Sequence, residues 1–170
     1  MPTAAVITVS DSCYKGTRVD LSGPAVIEAL IVGGFAVMER ITVADEQPAI
    51  EQALRRCAER ASLVVTTGGT GIAPRDVTPE ATRNVCDRLL DGVPEAMRAE
   101  GRRETIYASL SRALCGTLGQ SIIVNLPGSP RGAVTSLMTA LPLISHALTL
   151  LAGGKHRILK RNNSPPDETL

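Results

Sequence analysis

The sequence predicts a single α/β domain in three layers (α/β/α), with a mostly parallel sheet and an antiparallel hairpin at the sheet edge. Short apolar, β-branched runs alternate with helical patterns in the first half of the chain, which is typical of parallel strands joined by helices. Polar or glycine-rich residues follow these runs, as at the carboxyl ends of such strands. Two later apolar runs around Gly119 are too close for a helix between them, which favours the hairpin.

The first half of the chain contains three predicted strands and two helices. Ala4–Val9 is apolar and β-branched, which predicts a buried strand, and a helix from Pro24 to about Val32 follows it. A second strand, Phe35–Val43, precedes a helix of about Pro48–Arg60, where apolar residues recur at helical spacing. The third strand begins at Leu63 and ends at a glycine-rich turn.

The second half begins with two helices marked by proline near their starts. Thr78 and Pro79 have the pattern of an N-cap and a first helical residue, and Asp91–Pro94 predicts another start. A last helix from about Pro130 to Leu151 has apolar residues at helical spacing, which indicates a core helix. Between these helices lie the two predicted arms of the hairpin, Arg112–Thr117 and Ser121–Val124.

The composition favours a protein that handles small molecules. Eighteen basic and 17 acidic residues leave a net charge of +1, which provides no basic surface for nucleic acid. Tyr14, Phe35 and Tyr107 are too few aromatic residues for a platform on which bases stack. Met1–Val9 lacks a signal-peptide pattern, and we expect no apolar run near the ~20 residues of a membrane span. We therefore expect a cytoplasmic protein that binds neither nucleic acid nor membrane.

The 170 residues fit one domain, which at this size buries roughly 70% of its unfolded surface. All the predicted strands and helices lie within residues 1–154. From Lys155 onward the sequence becomes basic and then rich in Ser, Pro and Asp, so we expect residues 155–170 to form a flexible C-terminal tail. The cysteines lack paired spacing, which predicts neither a zinc site nor a disulfide framework.

The glycine-rich turn after the third strand carries the clearest functional signal. Thr67–Gly71 is followed by Asp76 and by the predicted helix start at Thr78. Glycines let a phosphate approach backbone N–H groups, and a helix N-terminus attracts anions. A carboxylate beside a phosphate repels it unless a divalent cation lies between them, so Asp76 predicts a metal–nucleotide site. The alternative is a plain strand-to-helix connection. The spacings of the P-loop and the dinucleotide fingerprint are absent.

Polar clusters follow four of the predicted strands. Because parallel strands end on the same edge of a sheet, and ligands bind α/β sheets in the crevice at that edge, we expect these clusters to line one cleft. They are Ser10–Ser12, Asp45, Gly68–Asp76 and Asn125–Ser129.

These segments, together with Leu110–Arg112, resemble the MoaB/Mog family in order and spacing, and the resemblance extends from about Val6 to Leu151. The variant Pro74–Pro79 is most similar to the Mog proteins and to the G domains of the plant molybdenum cofactor protein and gephyrin. The resemblance implies a MoaB/Mog-like molybdopterin-binding fold. It also implies Mg²⁺-dependent adenylylation of molybdopterin by ATP, which gives adenylyl-molybdopterin and pyrophosphate. A homotrimer and a molybdenum insertase partner are further implications.

The resemblance also implies roles for individual residues. Asp76 and Asp45 are similar to the family's two essential aspartates, to which we assign Mg²⁺ binding and organisation of the reacting phosphates. Thr70 and the amides of Gly68, Gly69 and Gly71 are then expected to hold nucleotide phosphate, Ser111 and Arg112 to contact the pterin, and Ser10, Asp11, Asn125, Pro127, Gly128 and Ser129 to line the shared crevice.

Two other interpretations stay open at this point. One is a non-catalytic protein of the MoaB branch that binds or delivers molybdopterin. The other is a nucleotide hydrolase or deamidase built on the same fold core. The chain departs from the family pattern between Arg98 and Ser109, where relatives commonly show a proline and a hydrophobic stretch. Pterin contacts are therefore not assigned in that segment.

Overall fold

The computed structural model describes residues 1–154, which form a six-stranded sheet with helices on both faces. The strands are β1 (Thr3–Val9), β2 (Ala36–Val43), β3 (Leu63–Thr67), β4 (Arg88–Leu89), β5 (Cys115–Leu118) and β6 (Ser121–Leu126). Their order across the sheet is β2-β1-β3-β6-β5-β4. The neighbours from β2 to β6 pair in parallel, whereas β5 pairs antiparallel with both β6 and β4. The predicted tail, 155–170, lies outside the described residues.

The helices cover the sheet on its two faces. They are α1 (Asp11–Tyr14), α2 (Ser22–Val32), α3 (Gln47–Ala58), α4 (Thr78–Val85), α5 (Gly92–Gly101) and α6 (Pro130–Leu151), with a 3-10 helix at Ile106–Leu110. Buried side chains of α2, α5 and α6 pack in one hydrophobic cluster, and those of α3 and α4 pack in the other. The three-layer prediction is thus confirmed.

Strand β1 shows why the central strands are continuous apolar runs. Successive side chains of a strand point to opposite faces, so Ala4 and Val6 belong to one cluster while Ala5 and Ile7 belong to the other. All of them are at most 1% exposed. Because such a strand is buried on both faces, its sequence is apolar throughout and does not alternate between apolar and polar residues. This is usual for parallel sheets covered by helices on both faces.

Helix α6 corrects one sequence expectation. An 18-residue window within its 22 residues has a mean hydropathy of 1.6, so by length and composition alone it could cross a membrane, the one such helix within residues 1–154. The expectation of no apolar run near that length is therefore wrong. However, Ala133, Leu137 and Ile144 are fully buried in the cluster that covers one face of the sheet, so this side of the helix packs in the core.

The other differences from prediction occur at element ends. The short helix α1 and the two-residue strand β4 were not predicted, and β4 rather than β5 forms the edge beyond the hairpin. Thr78 is the first residue of α4 rather than its N-cap, because its hydroxyl donates backwards to the Gly68 carbonyl at 2.9 Å. This bond ties the helix start to the glycine turn.

Candidate functional site

The four predicted polar clusters meet at the edge where the parallel strands end. Backbone hydrogen bonds continue past the strands: Ser10 N–H donates to the Val43 carbonyl at 3.0 Å, and Gly68 N–H donates to the Leu126 carbonyl at 3.1 Å. The loops after β1, β2, β3 and β6 are therefore held side by side. The convergence that strand direction predicted is present.

The glycine turn is shaped by two residues with positive φ. Gly68 has φ +100° and Gly69 has φ +66°, values that side chains with a Cβ rarely adopt. A Cβ on Gly68 would collide with the Val9 carbonyl oxygen, and one on Gly69 would collide with the Thr78 hydroxyl. The turn consequently lies tight against β1 and α4. Gly69, Thr70 and Gly71 donate their N–H groups to no acceptor in the described part of the chain, so these amides are available to an anion.

Two hollows open on either side of this turn. The larger, about 530 Å³, is lined by Met97, Glu104, Tyr107 and Leu110, and its floor includes the glycine turn. The smaller, about 370 Å³, lies over the loops after β1 and β2 and is lined by Ser10, Arg18, Asp20, Asp45 and Gly68, among others. Both hollows share Gly69, Asp76, Gly128 and Ser129. Asp76 therefore lies on the wall that separates them.

Asp45 is held by a reciprocal pair of hydrogen bonds with Asp11. Asp11 N–H donates to Asp45 Oδ2 at 2.8 Å, and Asp45 N–H donates to Asp11 Oδ1 at 3.0 Å. Burial raises the pKa of the Asp45 carboxyl, and the negative charges of Asp11 and Asp76 raise it further, against the lowering effects of the Asp11 N–H and the Arg75 charge. Like charges thus face one another here, which a bound cation would relieve.

Arg75 neutralises one of these carboxylates. Its Nε donates to Asp11 Oδ2 at 2.6 Å, and its Nη2 donates to Asp11 Oδ1 at 3.1 Å and to Glu46 Oε1 at 2.8 Å. Hydrogen bonding from Arg75, followed by that from Asp45 N–H, lowers the pKa of Asp11. The sequence alone did not identify Asp11 and Glu46 as the partners of Arg75, because the contacts join residues far apart in the chain.

Arg112 supports the glycine turn from behind. Its Nε donates to the Gly71 carbonyl at 2.7 Å, its Nη2 donates to the Asp76 carbonyl at 2.6 Å, and it forms an ion pair with Glu80. Its own N–H donates to the Thr70 carbonyl at 2.9 Å. The donors of the Arg112 guanidinium are therefore used in hydrogen bonds that stabilise the turn. A contact between Arg112 and a pterin stays a prediction, as does that of Ser111, which lines the larger hollow.

Asn125 lies beneath the crevice rather than along it. Its side chain is fully buried, and its Nδ2 donates to Thr66 Oγ1 at 3.0 Å and to Thr82 Oγ1 at 2.8 Å. Its Oδ1 accepts the Leu114 N–H at 3.1 Å. These bonds tie β6 to β3 and α4, so the contacts support a structural role for Asn125. Of the residues that follow it, Pro127 lines the larger hollow and Gly128 and Ser129 line both.

The predicted phosphate-binding residues are distributed unevenly around the turn. Thr70 and Gly71 line the larger hollow, Gly68 the smaller, and Gly69 both. Because the Gly68 N–H already donates to the Leu126 carbonyl, the free amides of the turn are those of Gly69, Thr70 and Gly71. Ser129 is the N-cap of α6, and its hydroxyl accepts the Gly132 N–H at 3.3 Å. A second helix N-terminus therefore opens toward the same edge.

The donor set fits Mg²⁺. Within residues 1–154 no group of three or more His, Cys, Asp or Glu side chains could hold a metal ion by itself. Asp45 and Asp76 supply two carboxylates of the same hollow. Mg²⁺ commonly binds through one or two carboxylates and takes its remaining ligands from water and substrate phosphates. A two-carboxylate site beside free backbone amides matches that preference.

Comparisons with known proteins agree on one relationship. A family model described as a probable molybdopterin binding domain matches residues 5–146. The chain is 40% identical over 162 residues to the molybdopterin adenylyltransferase of Helicobacter pylori strain J99, a match that covers 92% of each protein. It is 41% identical over 153 residues to the molybdenum cofactor synthesis protein cinnamon of Drosophila melanogaster, covering 88% of this chain but 25% of the fly protein. The crystal structure of MoaB from Thermus thermophilus, a molybdopterin biosynthesis enzyme, matches with a TM-score of 0.84 and 46% identity, over 90% of this chain and 98% of that one.

Proposed function

The chain belongs to the molybdopterin-binding domain family of molybdenum cofactor biosynthesis, and we propose on this premise that it adenylylates molybdopterin with ATP. In this reaction a terminal phosphate oxygen of molybdopterin attacks the α-phosphorus of ATP. The bond from that phosphorus to the bridging oxygen breaks, and pyrophosphate leaves with the electron pair. The products are adenylyl-molybdopterin and pyrophosphate, which makes the chain a nucleotidyltransferase.

The observation that carries this proposal is the position of Asp76 between two hollows. Two substrates have to meet in a transfer reaction, and each needs its own pocket that opens onto the reacting atoms. The larger hollow has apolar side chains such as Met97 and Leu110, and suits an organic ring. The smaller contains Asp45, and suits a polyphosphate that brings a cation. We assign molybdopterin to the larger hollow and ATP to the smaller.

The chain's own groups supply alignment and charge compensation. Two anions approach each other in this reaction, so the attacking oxygen needs no protein base but does need neutralisation of the developing charge. The free N–H groups of Gly69, Thr70 and Gly71 would form a phosphate cradle that begins at the shared wall, at Gly69, and continues along the larger hollow. Asp45 and Asp76 would hold Mg²⁺, which when bound supplies Lewis-acid stabilisation of the phosphate oxygens.

One assay tests substrate, reaction type and metal requirement together. Purified protein is mixed with ATP, Mg²⁺ and molybdopterin, and adenylyl-molybdopterin is detected by its mass. The expected result is the adenylylated product with Mg²⁺ and none with EDTA. No product with Mg²⁺, when molybdopterin nevertheless binds, would favour the binding or delivery role instead.

A second assay addresses the hydrolase interpretation. The protein is incubated with ATP and Mg²⁺ alone, and free AMP is measured. Transfer to molybdopterin predicts little AMP without the pterin, because the nucleophile is missing. Rapid AMP release in its absence would count against the transfer reaction.

The wider setting of the proposal follows from the family. The described cysteines are all free thiols, as is usual in the reducing cytoplasm, where we place the protein. The chain is proposed to act as a homotrimer and to pass its product to a molybdenum insertase. Size-exclusion chromatography with light scattering tests the trimer, and a pull-down with the insertase tests the partner.

A further inference from the structure

We propose that Arg75 is a positioning residue that holds the Asp45 carboxylate opposite Asp76 for the divalent cation. This inference rests on the proposed function, since it concerns how the same site is assembled. Arg75 lies one residue before Asp76 in the chain and does not line either hollow. It acts through other residues.

The contacts of Arg75 join three loops at one point. The residue belongs to the glycine-rich turn after β3, it binds Asp11 after β1 through two donors, and it binds Glu46 after β2 through a third contact. A guanidinium that binds a carboxylate in this bidentate way fixes direction as well as distance. The three loops are therefore locked relative to one another.

Asp11 passes this constraint to Asp45. Asp11 and Asp45 exchange backbone-to-carboxylate hydrogen bonds of 2.8 and 3.0 Å, so neither side chain can turn without breaking a bond to the other. Glu46, held by Arg75, is the next residue after Asp45. Asp45 is consequently restrained both through its own carboxylate and through its neighbour in the chain.

The same contacts decide which carboxylates remain for a metal. Asp11, Asp45 and Asp76 would together make a strongly acidic corner. Both oxygens of Asp11 are occupied by Arg75 and by the Asp45 N–H. Asp11 is therefore a support for Asp45, and of these three carboxylates Asp45 and Asp76 line the smaller hollow.

The first experiment measures metal binding without turnover. Mn²⁺ is used as the probe, and the free ion is quantified by electron paramagnetic resonance in the presence of wild type or Arg75→Met. The variant is expected to bind Mn²⁺ about 10- to 100-fold more weakly, as is typical when a residue that orients a metal ligand is removed. Equal Mn²⁺ affinity in the two proteins would overturn the proposal, as would a wild-type protein that binds no Mn²⁺.

Arg56→Met is the matched control. The Arg56–Glu39 pair has side-chain exposures of 54% and 25%, close to the 55% and 27% of the Arg75–Asp11 pair. It joins α3 to β2 and lines neither hollow. The two variants should lose similar stability in urea unfolding, and Arg56→Met should bind Mn²⁺ like wild type. An equal loss of Mn²⁺ affinity in both would make the effect general and overturn the proposal.

Two further measurements separate positioning from direct phosphate binding. Metal-free ATP should bind Arg75→Met as it binds wild type, because Arg75 contacts protein carboxylates rather than the nucleotide. Weaker metal-free ATP binding in the variant would assign Arg75 to the phosphates and overturn the proposal. Arg75→Lys should recover only part of the Mn²⁺ affinity, since an ammonium cannot reproduce the fork that grips Asp11.

Turnover distinguishes failure of this inference from failure of the proposed function. If the wild type adenylylates molybdopterin, Arg75→Met should lower kcat about 10- to 100-fold and leave the KM for molybdopterin unchanged. If the wild type does not adenylylate it, the proposed function fails while the Mn²⁺ comparison still decides the role of Arg75. Wild-type kcat in Arg75→Met would overturn the positioning role alone.

Discussion

The two hollows that meet at Asp76 differ in their chemistry although they share a wall. The larger is bordered by helical residues such as Met97, Tyr107 and Leu110, and the Arg98 guanidinium there donates to the Ser111 and Ala113 carbonyls. The smaller is bordered by strand-end loops that carry Asp20 and Asp45. One side is suited to a ring and the other to phosphates with a cation. Under the proposed function, one edge of the sheet would present two unlike substrates to one carboxylate.

The carboxylates around the smaller hollow also divide into two classes. Asp20 accepts hydrogen bonds from Thr8, Ser22, Gly23 and Arg40 at 2.6 to 3.2 Å. Although burial raises the pKa of Asp20, these bonds outweigh it and hold the pKa below its usual value. The pKa of Asp45, in contrast, is raised. Asp20, whose oxygens accept several hydrogen bonds, therefore stabilises the wall of the hollow. Asp45, which faces like charges, is suited to bind a cation.

Substitution of Asp76 should have the largest effect, because it removes the one carboxylate within residues 1–154 that is common to both hollows. In Asp76→Asn the negative charge disappears while size and shape stay, so kcat for pyrophosphate release from ATP and molybdopterin should fall roughly 10³-fold. Its backbone carbonyl still accepts the Arg112 bond, so the fold should survive. A coupled pyrophosphate assay and circular dichroism measure the two effects.

Asp91→Asn is a suitable control for this prediction. Asp91 precedes α5, is exposed, and makes no side-chain cap bond, so its amide variant should turn over like wild type. Wild-type turnover in Asp76→Asn would mean that the shared wall plays no part in catalysis. Retained molybdopterin binding with lost turnover is the outcome expected of an enzyme rather than a delivery protein.

Asn125→Ala should have the next largest effect, and on stability rather than on substrate binding. The change leaves the Leu114 N–H and two threonine hydroxyls without a partner in the core, which should cost about 2 to 4 kcal/mol in the free energy of unfolding. Urea unfolding measures this cost. Asn84→Ala is the control, since Asn84 donates to Glu51 at the surface and its loss should cost less than about 0.5 kcal/mol. A raised KM with unchanged stability would instead make Asn125 a ligand-binding residue.

The position of Asn125 shows where sequence reasoning reached its limit. Alternation of apolar runs and helical patterns was enough to predict the layers, the parallel strands and the hairpin, because these follow from periodicity. Periodicity specifies the residue at which a strand ends less well. β6 continues to Leu126, two residues beyond the predicted Val124, and pairs Asn125 with Thr66 of β3. Asn125, which was expected in the loop after the strand, therefore lies buried within the sheet and binds its neighbours there.

Long-range ion pairs were also beyond prediction. Strand direction brings the loops of Asp11, Asp45 and Asp76 to one edge of the sheet, and the sequence predicted this convergence. Which carboxylate receives Arg75 depends on loop geometry across 64 residues of chain, for which a single sequence carries no signal. The same holds for Arg112 and Glu80, 32 residues apart. The convergence of these loops was predictable, whereas the pairing of their side chains was not.

Asp20 should have a moderate and pH-dependent effect on stability. Asp20→Asn weakens the bonds that hold the loop over the smaller hollow, and should cost about 1 to 2 kcal/mol at pH 7. Because the pKa of Asp20 is lowered in the fold, its contribution is complete above its unfolded pKa of about 3.9 and is lost as the pH falls through the lower folded value. Urea unfolding at pH 7, 5 and 3 should show the gap between the proteins narrowing only below about pH 4. A gap that is constant down to pH 3 would contradict this assignment.

Tyr107→Ala should have the smallest effect and should act on one hollow alone. Tyr107 lines the larger hollow and is 72% exposed, so its ring is free to lie against a bound heterocycle. Aromatic contacts of this kind contribute about 0.5 to 1.5 kcal/mol, so the KM for molybdopterin should rise about 2- to 10-fold while the KM for ATP stays unchanged. Tyr14, 61% exposed and outside both hollows, gives the control Tyr14→Ala, which should change neither value. Steady-state kinetics with each substrate varied in turn makes the measurement. A rise in the KM for ATP instead would place ATP in the larger hollow and molybdopterin in the smaller. The assignment of the two substrates would then be wrong, although Asp76 would still lie between the two hollows.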